Sequence, residues 1–490
     1  MARSPFVGRE HELRLLQEQW RSSQARMMIL YGRRRVGKTR LVTHWLQSSN
    51  ARAFYWVAEP TSSADQLASF SQALYNFAGA GTAPDHFTYA TWAQAFQEIA
   101  RLAQDKRLAV VLDEFTYLLA AEAGVAGVLQ NAWDQTLSLS NIFLILSGSH
   151  IGMMQRHLLS YQAPLYGRAT SKLQVLPLPY ACTKAFFPGY RPDERVAVYA
   201  LLGGVPAYWE QFDPNQSLDS NIRNQLLGGA NLMQDEPRLL LHDFVSEPHN
   251  YVAILRAIAN GQHTPKDIAN AAGLRDHHLG MYLNNLLQTG FVERRLPVTE
   301  NETSRLGRHY ITDPFLRFYY RFLARRQAQL ALGVQDQTLE ELKRHLIDFI
   351  GTYTWEELCR EWLLRASGRS RLPFLPDQVG SLWNRQAQVD VAGYNSMEKT
   401  LILGECKWGR QVMDWDVMNG LVEKTSKVVP SEGQWTIYYL GFARQGWTET
   451  ARQFAAQFAA SGLQGANWKA IGMHILNLDQ VDQDLIAWSS

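Results

Sequence analysis

The stretch from Met27 to Leu46 reads MMILYGRRRVGKTRLVTHWL: an apolar run, then Gly32, four residues, Gly37, Lys38 and Thr39, then Leu41, Val42 and Trp45 at helical spacing. A strand, a glycine loop and a helix in that order predict a phosphate loop. The glycines let backbone N–H groups face the β- and γ-phosphates of a nucleotide, Lys38 supplies a point charge, and Thr39 offers its hydroxyl to magnesium. The expected ligands are therefore ATP and Mg²⁺, with contacts from Gly32, Arg35, Val36, Gly37, Lys38, Thr39 and Arg40. The three arginines at 33 to 35 either raise the local positive potential or are simply solvated.

Two further apolar runs end in chemistry. RLAVVLDEF closes on Asp113 and Glu114, and Asp113 follows Lys38 by 75 residues (113 − 38). In a nucleotide hydrolase the first acid would hold the magnesium shell and the second would orient and deprotonate the attacking water. IFLILSGSH delivers Ser147 and Ser149, which either sense the γ-phosphate or cap the next helix. APLYGRAT sets Arg168 in a glycine-containing loop, where it either neutralises transition-state charge or forms a surface salt bridge.

The segments FVGREHEL, YGRRRVGKT, VVLDEF, LILSGS, PLYGRAT and LLGGVPAYW together resemble the archaeal-type ATPase family, related to the STAND class of P-loop switch ATPases. The resemblance covers about the first 240 residues. It implies that Gly8, Arg9 and Glu10 lie near the adenine and that Gly204 and Pro206 belong to a helical lid that reads the nucleotide. Independently, Val196, Tyr199 and Leu202 are spaced for a helix stopping near Gly203.

The chain has 490 residues, 46% hydrophobic and 19% charged, enough for about three domains. Cys182, Cys359 and Cys406 are too far apart, and odd in number, for a disulfide framework or a structural zinc site, so a reducing cytoplasm is expected. No run of about 18 apolar residues reads as a membrane span. A formal net charge of +2 leaves any nucleic-acid surface to be local. Between 250 and 330 there are 11 Lys or Arg against 6 Asp or Glu, a net of +5.

That region carries three helical patterns, the second opened by Thr264 and Pro265 and closed by Gly273, the third with Leu279, Tyr282, Leu283 and Leu286 on one face. GFVERRLPV then reads as a wing strand, which makes a winged helix-turn-helix. Its third helix exposes His277, His278, Met281, Asn284, Asn285 and Gln288, which suit base edges, and the arginines around it suit phosphates. The alternative is a winged helix that only packs against the ATPase. Phe315, Phe318, Tyr319 and Phe322 recur at core spacing.

Near the C-terminus, NRQAQVDVAGY and KTLILGECKW read as two strands joined around Asn395 and Ser396. A hairpin symmetric about 397 and 398 sets Asp390 opposite Glu405 and Gln388 opposite Lys407, with Val389, Val391, Ile402 and Cys406 on the other face. Paired like charges need a neutraliser, and a divalent metal would serve, with Lys407 orienting water. A solvated sheet face with slipped register is the alternative. The order helix, antiparallel strands, helix, strand resembles the PD-(D/E)XK nuclease superfamily, and VGSLWNRQAQVDVAG and LILGECKWG are similar to a domain of unknown function often joined to such ATPases. The resemblance implies Asp390, Glu405 and Glu356 as ligands of Mg²⁺ or Mn²⁺ and Lys407 as catalytic, with Glu357 competing for the helical position. Gln388 departs from the pattern, which generally has an acid there.

The expected fold is thus α/β: a P-loop parallel sheet (1–180), a helical lid (181–245), a winged helix (246–335) and a restriction-endonuclease-like domain (340–490). The expected activity is ATP hydrolysis with Glu114, Lys38 and Arg168 as catalytic groups, controlling a DNA-binding and DNA-cleaving C-terminal domain. The alternative is a STAND-like switch or scaffold with an inactive nuclease fold. DNA, a second copy of the chain or a regulatory protein are the expected partners, and no membrane.

Overall fold

The computed structural model describes residues 5–79, 81–228, 232–242 and 248–489. They form two compact units, one made of Phe6–Leu178 with Val205–Ala207, the other of Pro179–Gly204 and the chain from Tyr208 onward. The four segments expected from sequence thus fall into two bodies, and Pro179–Gly204 is grouped with the C-terminal one.

The N-terminal unit is built on five parallel strands: β1 (Arg26–Tyr31), β2 (Ala53–Val57), β3 (Leu108–Asp113), β4 (Ile142–Gly148) and β5 (Ser171–Gln174), in the order β2-β3-β4-β1-β5. β3 and β4 are buried along their whole length, as continuous apolar runs in a parallel sheet should be. Alternation divides their side chains between two cores. Ile29, Val110, Leu112 and Leu144 pack beneath helices that include Ser63–Phe77, Trp92–Leu102 and Val125–Gln135. Leu30, Val111, Phe143 and Ile145 pack with Leu16 and Trp45 of helices Glu10–Arg21 and Lys38–Ser49. With both faces closed, the chemistry is left to the loops at the carboxyl ends of β1, β3 and β4.

In the C-terminal unit, helices Pro248–Ala259, Pro265–Ala272 and Asp276–Gln288 are followed by the antiparallel pair β6 (Val292–Arg295) and β7 (Arg308–Ile311). Thr264 caps the second helix by accepting from the amide of Asp267, and Gly273 ends it at φ 67°. Leu279, Leu283 and Leu286 are buried, while His278, Met281, Asn284 and Gln288 are exposed. Asn285 donates to Tyr251 Oη at 2.8 Å. The side chain of His277 lies outside the described residues. Of the four aromatics at core spacing, Phe315, Phe318 and Phe322 are buried and Tyr319 is partly buried against the core.

A second five-stranded sheet follows helix Glu356–Ser367: β8 (Gln378–Trp383), β9 (Gln388–Asn395), β10 (Thr400–Lys407), β11 (Trp435–Ala443) and β12 (Trp468–Asn477). β8, β9 and β10 run antiparallel, whereas β10, β11 and β12 are parallel, with helices Trp415–Val428 and Glu449–Gln457 as connections. The β9–β10 pairing runs from Thr400 with Asn395 to Gly404 with Val391, centred between 397 and 398 as the alternation predicted. One step further it sets Glu405 opposite Asp390. The face these acids share is not the solvated one: Ala392, Leu401 and Leu403 on it are fully buried under Met418 and Leu421. A helix therefore covers each side of the hairpin, and only the strand ends remain polar.

Candidate functional sites

The phosphate loop is held by close approaches. A side chain at Gly32 would bring its Cβ to 2.4 Å from the carbonyl oxygen of Val175, so only glycine fits. Gly37 adopts φ 94° and caps helix Lys38–Ser49 with open space where a Cβ would point. That helix start, with its unsatisfied amides, is an anion cradle.

Lys38 is buried and its ammonium donates to Gly32 O (2.9 Å), Arg33 O (3.1 Å) and Ser149 Oγ (2.8 Å). Ser149 in turn donates to Glu114 Oε1 at 2.6 Å, so a three-residue relay joins the ends of β1, β4 and β3. Thr39 Oγ1 and Tyr55 Oη both donate to Asp113 Oδ2, and the amide of Glu114 donates to Oδ1. Burial pushes the Asp113 carboxyl up, but these donors outweigh it and hold it below the usual range. The buried Ser147 hydroxyl at the carboxyl end of β4 also favours the Asp113 anion. Glu114 itself adopts φ 48°, a left-handed conformation rare for a residue with a side chain.

Arg9, which the resemblance sets near the adenine, lies beside the phosphate loop. Its guanidinium is buried and donates to Val36 O (2.9 Å), Leu176 O (2.8 Å) and Glu12 (2.7 Å), clamping the phosphate loop to the first helix. Arg35 stands in the loop at φ 67° and Arg40 lies 6.0 Å from the Phe6 ring, itself stacked on His44. Pro206 begins a short helical turn, Pro206–Trp209. Arg168 forms a bidentate pair with Asp134, the salt-bridge alternative, and would have to release it before acting on a nucleotide.

Burial pulls the Lys38 ammonium down to about 8, against the attraction of Glu114 and Asp113. A bound triphosphate favours the charged form. ATP binding should therefore take up a proton near pH 8 to 9, and affinity should fall as pH rises through 8. Calorimetry in two buffers of different ionisation enthalpy would read the uptake, and equal heats in both would contradict it.

At the C-terminal site the acids are unequal. Glu405 is buried, with Lys407 at 2.7 Å on one oxygen and Lys424 at 2.8 Å on the other. Asp390 accepts from the Cys406 amide at 3.0 Å and is pushed up to about 6 by burial and by Glu405. Burial and then Asp390 push Glu356 up to about 8, while Arg360 lies 3.3 Å from it. Glu357 is committed elsewhere: although burial works against it, Arg317 and Arg295 hold it down to about 2. Of the two glutamates, Glu356 is the one raised by the charge of Asp390. Gln388 accepts from Arg308 at 2.9 Å. Among the described residues, no three His, Cys, Asp or Glu side chains form a group able to hold a metal ion.

Tyr55, Asp134 and Lys424 were not singled out from sequence. Tyr55 reaches Asp113 because β2 pairs with β3, and Lys424 reaches Glu405 because a helix docks on the sheet. Neither contact leaves a local pattern.

Fold and site define a P-loop ATPase domain. Known proteins agree: the family described as "ATPase domain predominantly from Archaea" matches residues 6–212, and one described as "Archaea bacterial proteins of unknown function" matches 319–418. The protein MJECL04 of Methanocaldococcus jannaschii is 31% identical over 421 residues, 84% of this chain and 89% of that one. The chain belongs to the same family as this archaeal protein, with an N-terminal ATPase domain of the archaeal type. Among solved structures, a Walker-type ATPase of Pyrococcus abyssi is 19% identical and covers 65% of this chain and 99% of its own, with a TM-score of 0.48. Cdc6p of Pyrobaculum aerophilum is 14% identical and covers 69% and 96%, with a TM-score of 0.32.

Proposed function

We propose that the chain is a magnesium-dependent ATP hydrolase whose nucleotide state controls a DNA-binding C-terminal unit of nuclease-like fold. The relay from Lys38 through Ser149 to Glu114 carries this reading, since it ties the group that would bind phosphate to the group that would take a proton from water. Magnesium, when bound, neutralises phosphate charge, and Thr39 and Asp113, already joined at 2.8 Å, are the residues that would hold it. Lys38→Ala should abolish tight ATP binding, read by calorimetry; unchanged affinity would refute the assignment. Three cysteines free of disulfides support a reducing cytoplasm as its compartment.

The helices from 248 to 288 with β6 and β7 support a winged helix-turn-helix, in which Asp276–Gln288 would face the major groove. The order of helix Glu356–Ser367, β8 to β10, helix Trp415–Val428 and β11 supports a PD-(D/E)XK-like fold. Its acids do not fit a ready metal centre, because both oxygens of Glu405 are already neutralised by ammonium groups. That observation favours the switch or scaffold form over cleavage at Asp390, Glu405 and Lys407. Calorimetric titration with Mn²⁺ should accordingly give the same binding in the unaltered protein and in Asp390→Ala, and a site lost in Asp390→Ala would reinstate the nuclease.

A further inference from the structure

Several arginines between residues 250 and 330 are held by groups of their own unit. Arg294 donates to the carbonyls of Glu302 and Ser304, Arg295 and Arg317 hold Glu357, and Arg308 donates to Gln388 while lying 4.7 Å over Trp383. Around β6 and β7, Arg294, Arg295 and Arg308 are thus held by groups of their own unit, while Arg305 is exposed.

A cavity of about 490 Å³ past the end of helix Pro248–Ala259 differs. Asn260, Arg321, Arg325, Arg326, Gln329 and His345 line it, over a floor of buried Phe322. Arg321 donates to Ala259 O at 3.1 Å. Arg326 pairs with Glu341 at 2.6 Å, the only carboxylate of the lining. Arg325 is exposed and has no hydrogen-bond or ion-pair partner among the described residues. Three guanidinium groups against one carboxylate give these four side chains a net charge of +2. Its size falls in the range of about 300–1,000 Å³ typical of ligand sites, and guanidinium forks match phosphate oxygens bidentately.

We propose that this cavity, rather than the wing, is where the C-terminal unit grips phosphate groups of duplex DNA. The inference rests on the DNA-binding reading above, and the test separates the two. Binding of the full chain to a fluorescein-labelled duplex is followed by anisotropy across a sodium chloride series. Arg325→Gln should raise Kd about three- to tenfold and reduce the slope of log K against log salt by about one. Arg321→Gln with Arg325→Gln should weaken binding further. Arg294→Gln with Arg308→Gln should change little. Loss through the wing pair with the cavity variants unchanged overturns the proposal. A second arm titrates pyrophosphate by calorimetry in the Lys38→Ala background, so that the phosphate loop does not contribute. Pyrophosphate heat lost in Arg325→Gln without any duplex binding keeps the phosphate site and removes DNA as its ligand. No binding of either probe removes both.

Discussion

Glu114→Gln should lower steady-state ATP hydrolysis by about 10²- to 10⁴-fold, the range a positioned general base contributes, while ATP affinity stays near that of the unaltered protein. The amide preserves shape and still accepts from Ser149 Oγ, which lies 2.6 Å from Glu114 Oε1, but it no longer takes a proton from water. Binding rests on Lys38, Thr39 and the loop amides, whose hydrogen bonds the substitution leaves in place. Single-turnover hydrolysis beside equilibrium nucleotide binding separates the two effects. A rate equal to the unaltered protein's would show that another residue is the base.

Asp482→Ala should cost about 3–5 kcal/mol of stability in the C-terminal unit, the penalty for leaving a buried charge unpaired. Arg195 and Asp482 are 3% and 6% exposed, joined to each other, with Tyr180 Oη donating to the second carboxylate oxygen at 2.6 Å. The pair fastens helix Pro192–Leu202 to helix Leu478–Ala487, nearly 300 residues apart in sequence. Urea unfolding of the full chain reads the loss as a lowered midpoint for this unit's transition. Replacing both residues with apolar ones of similar volume should recover much of it, because no lone charge then remains. A double variant as unstable as Asp482→Ala would place the effect in packing instead.

Where the sequence was legible, a local rule tied residue to conformation. The phosphate loop, the buried parallel strands, the Thr264 and Gly273 helix boundaries and the 397/398 centre of the hairpin each follow from spacing within a few residues. What escaped depended on neighbours distant in sequence. Nothing near Glu405 announces Lys424, so the expected neutraliser was a metal, whereas the docked helix supplies an ammonium. The arginines of β6 and of the helix after β7 likewise count as surface charge in sequence, and only tertiary pairing shows that Arg295 and Arg317 are engaged with Glu357. Grouping Pro179–Gly204 with the C-terminal unit depends on contacts such as Arg195 with Asp482, which no periodicity records.

Glu114 pays for its position in backbone geometry. At φ 48° a residue with a Cβ carries a penalty of order 1 kcal/mol or more that glycine avoids. Evolution acting on thermal endurance alone would drift toward glycine there, gaining robustness and discarding the carboxylate. Persistence of an acid at that position across a lineage would thus record selection for turnover, and its replacement by glycine would mark a descendant that had become a passive nucleotide binder.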